Sequence, residues 1–325
     1  MKKILKLLGL GLFFMGAVQA QTIKVAVLAP EGTSWASNME DMAKEIKKVT
    51  NGEVNIRLYL GGTQGDEHDV LRKVRVGQLQ GGIFTGKTLG DINGDVRVIE
   101  IPFNFDGDSK KAMGAVKELA PDFNKGFIEK GFENLGFFEI GNVYFVSNKE
   151  FTDLASLKGM KIWAWEGDKL VSSMIDAMGL VSVPLPITDV LSSLSSGIVE
   201  AAYAPPLGII ALQWSSRINY ILDLPISFSV GAFLVESKTW KKISEANRVK
   251  IKKVSEKYVE LVNKGNTRDN EEAKQVLQSM GVEFVSFPES DVKKSKELRK
   301  EMVKRLKGNL FSEEVYQKLE AYRNK

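Results

Sequence analysis

The chain has no cysteine and one histidine among its 325 residues. Without thiols there is no disulfide and no thiolate metal site, so stability has to come from burial in a chain long enough to build a core. The lone His68 stands in Asp66-Glu67-His68-Asp69 with no second nitrogen or sulfur ligand for zinc, and reads as a solvated residue at an acidic helix start. A Ser-His-Asp triad would have to use that same histidine. Neither a G-x-S-x-G elbow nor an H-E-x-x-H helix occurs, which disfavours an exported hydrolase, although paired carboxylates across a cleft cannot be placed from sequence. An excess of one charge is also missing. The formal net charge of +4 includes Lys2, Lys3 and Lys6, leaving +1 for the remainder, a balance that argues against nucleic acid as a partner. Beyond the first eighteen residues no stretch approaches the ~20 consecutive apolar residues of a membrane span.

Those first residues have the form of a secretory leader. Lys2, Lys3 and Lys6 precede an apolar run from Leu7 to Val18, and small residues at Val18 and Ala20 mark a cleavage site before Gln21. The expectation is a signal peptide over 1–20 and a mature protein free in the periplasm, with no lipid-modified cysteine to tether it.

The remainder alternates strands and helices. Thr22 to Leu28 has strand composition and breaks at Ala29-Pro30-Glu31-Gly32. Ser34 is a candidate cap for a helix over 35–50, in which Met39, Met42, Ile46 and Val49 recur at helical spacing. A strand at 54–60, a helix at 67–76 and a short strand at 82–85 follow, then an apolar segment at 96–101 ending at Pro102. After a helical region around 110–130 the pattern restarts, with strands at 135–147, 161–165 and 181–184, a helix at 169–178, and another over 189–195 that Thr188 could cap. The sheet resumes through 197–203 and 232–235, and 241–280 is a helix-rich run broken only by Gly265. The reading is α/β, in two lobes built on mostly parallel sheets, with one helix long enough to cross between them.

Two motifs invite sharper readings. Gly81-Gly82-Ile83-Phe84-Thr85-Gly86-Lys87-Thr88 satisfies the phosphate-loop pattern, but Ile83 to Thr85 is itself the strand and a charged helix precedes it, so the context is wrong. Asp91-Ile92-Asn93-Gly94-Asp95 lacks the glycine and glutamate positions of a calcium loop and reads as a turn. The basic run over 293–307 alternates with Leu298, Met302 and Leu306 as an amphipathic surface helix.

The order of short motifs resembles the substrate-binding subunits of TRAP transporters, the DctP-like family. They are Leu28-Ala29-Pro30-Glu31-Gly32-Thr33-Ser34-Trp35, Tyr59-Leu60-Gly61-Gly62, Val76-Gly77-Gln78-Leu79, Ile101-Pro102-Phe103, Leu154 to Ile162, Gly197-Ile198-Val199-Glu200 and Phe233-Leu234-Val235. The resemblance spans nearly the whole mature chain. It implies the two-lobed periplasmic binding protein fold, with crossing strands and a long inter-lobe helix. Lobe I would take 21–143 plus 229–270, and lobe II 144–228 plus 271–325. It implies ligand capture without chemistry, no cofactor, and TRAP membrane subunits as partners.

Departures from the family are the more informative part. Where most relatives place an arginine that clamps a ligand carboxylate, this chain has Trp163, and a second family arginine would fall near Val143. An apolar or amphipathic ligand is therefore expected, as in a subgroup that lacks the arginine and is accompanied by a tetratricopeptide-repeat protein. Lys87 could still supply one cation for a conventional organic acid. Trp163 and Trp165 face the same way along a strand, Trp35 lies in the first loop, Thr85 ends a strand, and Tyr203 ends another. With Lys87, Phe103 and Tyr144 these form the candidate ligand-contacting set, core packing being the plainer role for Phe103 and an equal one for Trp165. A periplasmic adaptor for another protein is the remaining alternative, if the apolar stretch from Tyr203 to Leu212 is exposed.

Overall fold

The computed structural model describes residues 20–325, so the predicted leader lies, but for its last residue, outside the described part. The first five elements follow the predicted alternation: β1 (Gln21–Ala26), α1 (Ser34–Val49), β2 (Val54–Tyr59), α2 (Glu67–Arg75) and β3 (Gly81–Thr85). Helix α1 buries Met39, Met42 and Ile46 completely, the stripe that its spacing predicted. Its cap is Thr33 rather than Ser34: the Thr33 hydroxyl accepts from the Ala36 amide at 3.1 Å, and the Ser34 hydroxyl donates instead to Asp269 of a distant helix.

The phosphate-loop pattern dissolves here. Gly81 to Thr85 are paired in β3, and a Cβ at Gly81 would lie 2.6 Å from the Leu234 carbonyl oxygen, so the glycine serves strand packing. Gly86-Lys87-Thr88 opens a helix, α3 (Gly86–Ile92), that was not predicted. The apolar segment after it is a 3-10 turn (Gly94–Val98), followed by α4 (Ser109–Glu129) and β4 (Phe132–Ser147).

The second half supplies β5 (Lys161–Ala164), α5 (Lys169–Met178), β6 (Val181–Pro184), α6 (Val190–Ser196), β7 (Ala201–Ala204), α7 (Pro206–Ala211) and β8 (Tyr220–Leu222). Thr188 does not cap α6. It sits inside a 3-10 turn (Ile187–Asp189) that leads into the helix without a side-chain cap. Then come β9 (Ser227–Glu236), α8 (Ser237–Lys241), α9 (Glu245–Ser279), β10 (Glu283–Val285), α10 (Glu289–Leu306) and α11 (Glu313–Arg323).

Two sheets share β4. In the first the order is β2-β1-β3-β9-β4, parallel as far as β3 and antiparallel where β9 joins β3 and β4. At Tyr144 the strand leaves β9 and pairs with β7, opening the second sheet, β4-β7-β5-β6, with β8 on the end of β4 and β10 on β8. Helix α9 spans about 50 Å at ~1.5 Å per residue and packs against α1, β4 and α7, touching elements of both sheets. Helix α10 lies on α5, whereas α11 lies on α4 and the 94–98 turn. Among the described residues no helix is long and apolar enough to cross a membrane.

Candidate ligand-binding site

Strands β1, β3, β5 and β7 end at the gap between the two sheets. Their last residues, or the chain just beyond them, line a cavity of about 450 Å³, the usual place for a ligand in such sheets. From the first sheet come the Leu28 to Pro30 turn, Trp35, Gly61-Gly62, Glu67 and Thr85. From the second come Trp163, Trp165, the Ile187 to Leu191 stretch, Tyr203, the exposed face of α7, and Trp214. Trp163 is the hub of the aromatic floor. Its ring stacks on Tyr203 at 4.9 Å and meets Trp165 and Trp214 edge-on at 5.0 and 5.5 Å, while its Nε1 donates to the Leu185 carbonyl at 2.9 Å.

Five of the eight candidates, Trp35, Thr85, Trp163, Trp165 and Tyr203, therefore meet around one cavity. Three do not. Lys87, the second residue of α3, pairs with Asp91 one turn further on at 2.6 Å and faces a separate polar cavity. Phe103 is buried in the core of the first half, where Val98, Ile99 and Ile101 also pack. Tyr144 is buried beside Lys274, whose ammonium lies 5.2 Å from its ring centre. Val143 is likewise core. The apolar stretch from Tyr203 to Leu212 turns inward to the cavity wall and is not an outer patch.

Sequence reasoning missed the polar parts. Glu67 is almost fully buried in the wall, with Oε2 accepting from the Thr85 amide and Oε1 bonded to the Thr85 hydroxyl, each at 2.7 Å. Burial pushes its carboxyl up to about 8 against the opposing pull of those two bonds, and Asp66 and Glu100 add to the rise. Asp66, the cap of α2, also accepts from Trp165 Nε1 at 3.1 Å and from the Ile187 amide at 3.3 Å, tying the first half to the second.

Arg97, read only as part of an apolar segment, lies behind the wall. Its Nη2 reaches both Asp168 oxygens at 3.0 Å and its Nε lies 3.0 Å from Glu100, all three side chains buried. Asp168 in turn caps α5 through the Leu170 and Val171 amides. Burial raises the Glu100 carboxyl even beside Arg97, and burial followed by the Asp168 charge pushes the Tyr203 phenol well up. The Trp165 amide lies near that phenol oxygen without hydrogen-bond geometry. The signal for Glu67 and Arg97 would have been a charge at a position whose neighbours are apolar with helical or turn spacing, but surface charges look the same along the chain.

Among the 27 residues of the wall there is no lysine, arginine or histidine. No group of side chains suited to a metal ion occurs among the described residues.

The sequence profile described as bacterial extracellular solute-binding protein, family 7 (DctP) matches residues 25–309. A solute-binding protein of Roseobacter denitrificans is 22% identical over 228 residues, which is 70% of each chain. Among solved structures, the chain is similar to a TRAP periplasmic solute-binding protein from Desulfovibrio salexigens with bound orotic acid. The TM-score is 0.85 at 20% identity, covering 94% of this chain and 99% of that one. A TRAP periplasmic solute-binding protein from Haemophilus influenzae with bound L-gulonate gives a TM-score of 0.86 at 21% identity, covering 93% and 99%.

Proposed function

The chain belongs to family 7 of the bacterial extracellular solute-binding proteins, the DctP family, and from that premise we propose that it is the periplasmic receptor of a TRAP-type secondary transporter. It traps a small apolar or amphipathic solute between its two halves and hands it to the transporter's membrane subunits. Members of the family bind solutes and do not convert them, and the chain is not an enzyme. Closure on the solute is favoured only as far as the solute's contacts span both halves, so recognition and closure share one free energy.

The observation that carries the ligand half of this reading is the cation-free wall. A carboxylate placed there without a partner costs several kcal/mol. An indole of the floor, by contrast, offers about 150 to 250 Å² of contact at ~25 cal/mol per Å². The Desulfovibrio and Haemophilus proteins carry acids, which favours a conventional organic-acid reading, with Lys87 as the cation. Against it stands the Lys87 side chain itself, held by Asp91 in another cavity.

Two finer parts belong to the proposal: a tetratricopeptide-repeat partner, supported by the missing arginines at Trp163 and Val143, and export with cleavage before Gln21, supported by Lys2, Lys3 and Lys6 ahead of the apolar run Leu7 to Val18 and the small residues at Val18 and Ala20. The division into 21–143 plus 229–270 and 144–228 plus 271–325 belongs to the same proposal. Mass spectrometry of small molecules extracted from natively purified protein is the test, and an uncharged or amphipathic compound at near-stoichiometric amount is expected. A dicarboxylate or sugar acid would sink the ligand assignment and leave the receptor assignment standing.

A further inference from the structure

Four of the chain's five tryptophans, Trp35, Trp163, Trp165 and Trp214, line a single cavity together with Tyr203. The polar ends of these rings are engaged or sealed. Trp163 Nε1 donates to the Leu185 carbonyl at 2.9 Å and Trp165 Nε1 to Asp66 at 3.1 Å, while Trp35 Nε1 and Tyr203 Oη have no open surface. Trp35, Trp165 and Tyr203 are nevertheless only half-buried, so the side-chain surface they offer the cavity is ring carbon. Trp35 belongs to the first half and the others to the second, which puts aromatic surface on both sides of the gap.

A neutral apolar body gains as much per unit area from leucine as from indole, so the gathering of indoles calls for a different occupant. The faces of an aromatic ring are electron-rich and its edge electron-poor, and the hydrogen bonds of Trp163 and Trp165 engage the edges. A face attracts a cation by about 0.5 to 1 kcal/mol where exposed and ~2 kcal/mol or more where water is excluded, indole most strongly. No lysine, arginine or histidine of the wall opposes a positive charge, and the one carboxyl of the wall is Glu67. Asp66 precedes it in the chain and takes the Trp165 edge. Behind the wall Arg97 is closed between Asp168 and Glu100 and adds no net positive charge. Burial holds Glu67 neutral at pH 7, and a cation beside it favours the ionised form. A quaternary ammonium has no N–H donors to satisfy and spreads its charge over methyl groups that pack on rings, the kind of head that aromatic cages take.

We propose, resting on the solute-binding reading above, that this cavity takes an organic cation. A quaternary ammonium head lies against the rings of Trp35, Trp165 and Tyr203, and the apolar part of the same molecule lies along Leu191, Leu207 and Leu212. The positive charge is what distinguishes this solute from a merely apolar one.

Choline, its neutral carbon isostere 3,3-dimethylbutan-1-ol and the acid 3,3-dimethylbutanoate test this, because they share one branched head and differ in charge. Each is titrated at pH 7 into full-length protein stripped of ligand by unfolding and refolding, with binding read by calorimetry. Choline is expected to bind about tenfold more tightly than the alcohol, and the acid most weakly. Trp35→Leu keeps an apolar side chain and loses the ring. It is expected to weaken choline about three- to tenfold and the alcohol by less than about twofold, with an unchanged circular dichroism spectrum. Should that variant misfold, the ratio of the two affinities in the wild type decides alone. An alcohol that binds as tightly as choline, or a choline affinity unmoved by Trp35→Leu, overturns the proposal and leaves the apolar-solute reading intact. An acid that binds tightest overturns both and leaves the receptor assignment standing. A folded protein that binds none of the three also overturns the proposal, and the receptor reading falls with it only if the native extract is empty too.

Discussion

Glu67 shows how far one buried group can carry a measurable signature. In an unfolded chain a glutamic acid titrates near ~4.3, whereas here burial lifts it to about 8, with Asp66 on its own helix and Glu100 from the turn opposite pushing the same way. The folded state therefore holds a proton that the unfolded state has released. The stability tied to that proton is complete below the unfolded value and drains away as pH rises through the folded one. Between about pH 4.5 and 8 the wild type is expected to lose on the order of a few kcal/mol relative to Glu67→Gln, read from urea unfolding at several pH values. Parallel curves across that window would mean that the carboxyl ionises normally inside the fold. Nothing in Asp66-Glu67-His68-Asp69 distinguishes Glu67 from a solvated helix-start acid. Trp163 was legible as a cavity residue because a bulky ring stood where a related chain would carry a charge.

At the level of elements, the passage between the two sheets depends on β4 and α9. The strand slips register around Gly136 and again around Gly141, and each slip frees backbone groups from the β9 ladder. Three asparagines at helical spacing on α9 collect them. Asn263 takes the Glu139 amide and gives to the Phe137 carbonyl, Asn266 gives to Glu139, and Asn270 gives to Ile140 while accepting from the Leu207 amide of α7. A Cβ at Gly141 would approach Asn270 Nδ2 to 2.6 Å, so the glycine is what lets the helix side chain in. Asn270→Ala is expected to cost about 1 to 3 kcal/mol for the polar groups it strands, visible as a lower midpoint in thermal unfolding. An unchanged midpoint would mean that the bulged strand holds its shape unaided. The helix itself was readable from its spacing. The asparagine stripe was not, since asparagine inside a helix ordinarily counts only as a weak helix former.

For the molecule as a whole, the halves share β4, α9 and a continuous apolar core, and two sets of polar contacts are added across the gap. Asp66 reaches Trp165 and Ile187, and Arg97 reaches Asp168, each pair crossing from one sheet's side to the other. Asp66→Ala removes two of the bridging bonds, together with a helix cap worth ~1 kcal/mol. The ligand-free variant is expected to open, with a larger radius of gyration by solution X-ray scattering and a several-fold weaker apparent affinity, because a smaller fraction of molecules is competent to bind. Identical scattering from the two proteins would show that these bonds do not hold the halves together.

The α/β alternation and the long helix follow from the order of residues alone, because side-chain periodicity and local turn chemistry act over a few positions; the indole at position 163 stood out only through the resemblance to the DctP-like family. The same short range misled where a pattern matched out of context. Thr188 had the chemistry of a cap but fell inside a turn, and Lys87 was the cation nearest in sequence to a strand end but turned one helical step towards Asp91. Only the tertiary structure decided that Arg97 is neutralised by a residue 71 positions away, that Glu67 is sealed against Thr85, and that Trp35, Trp163 and Tyr203 line one cavity. Electrostatics and hydrogen bonding depend on what stands opposite, and in a chain whose central strand changes sheets halfway along, no local window contains the opposite side.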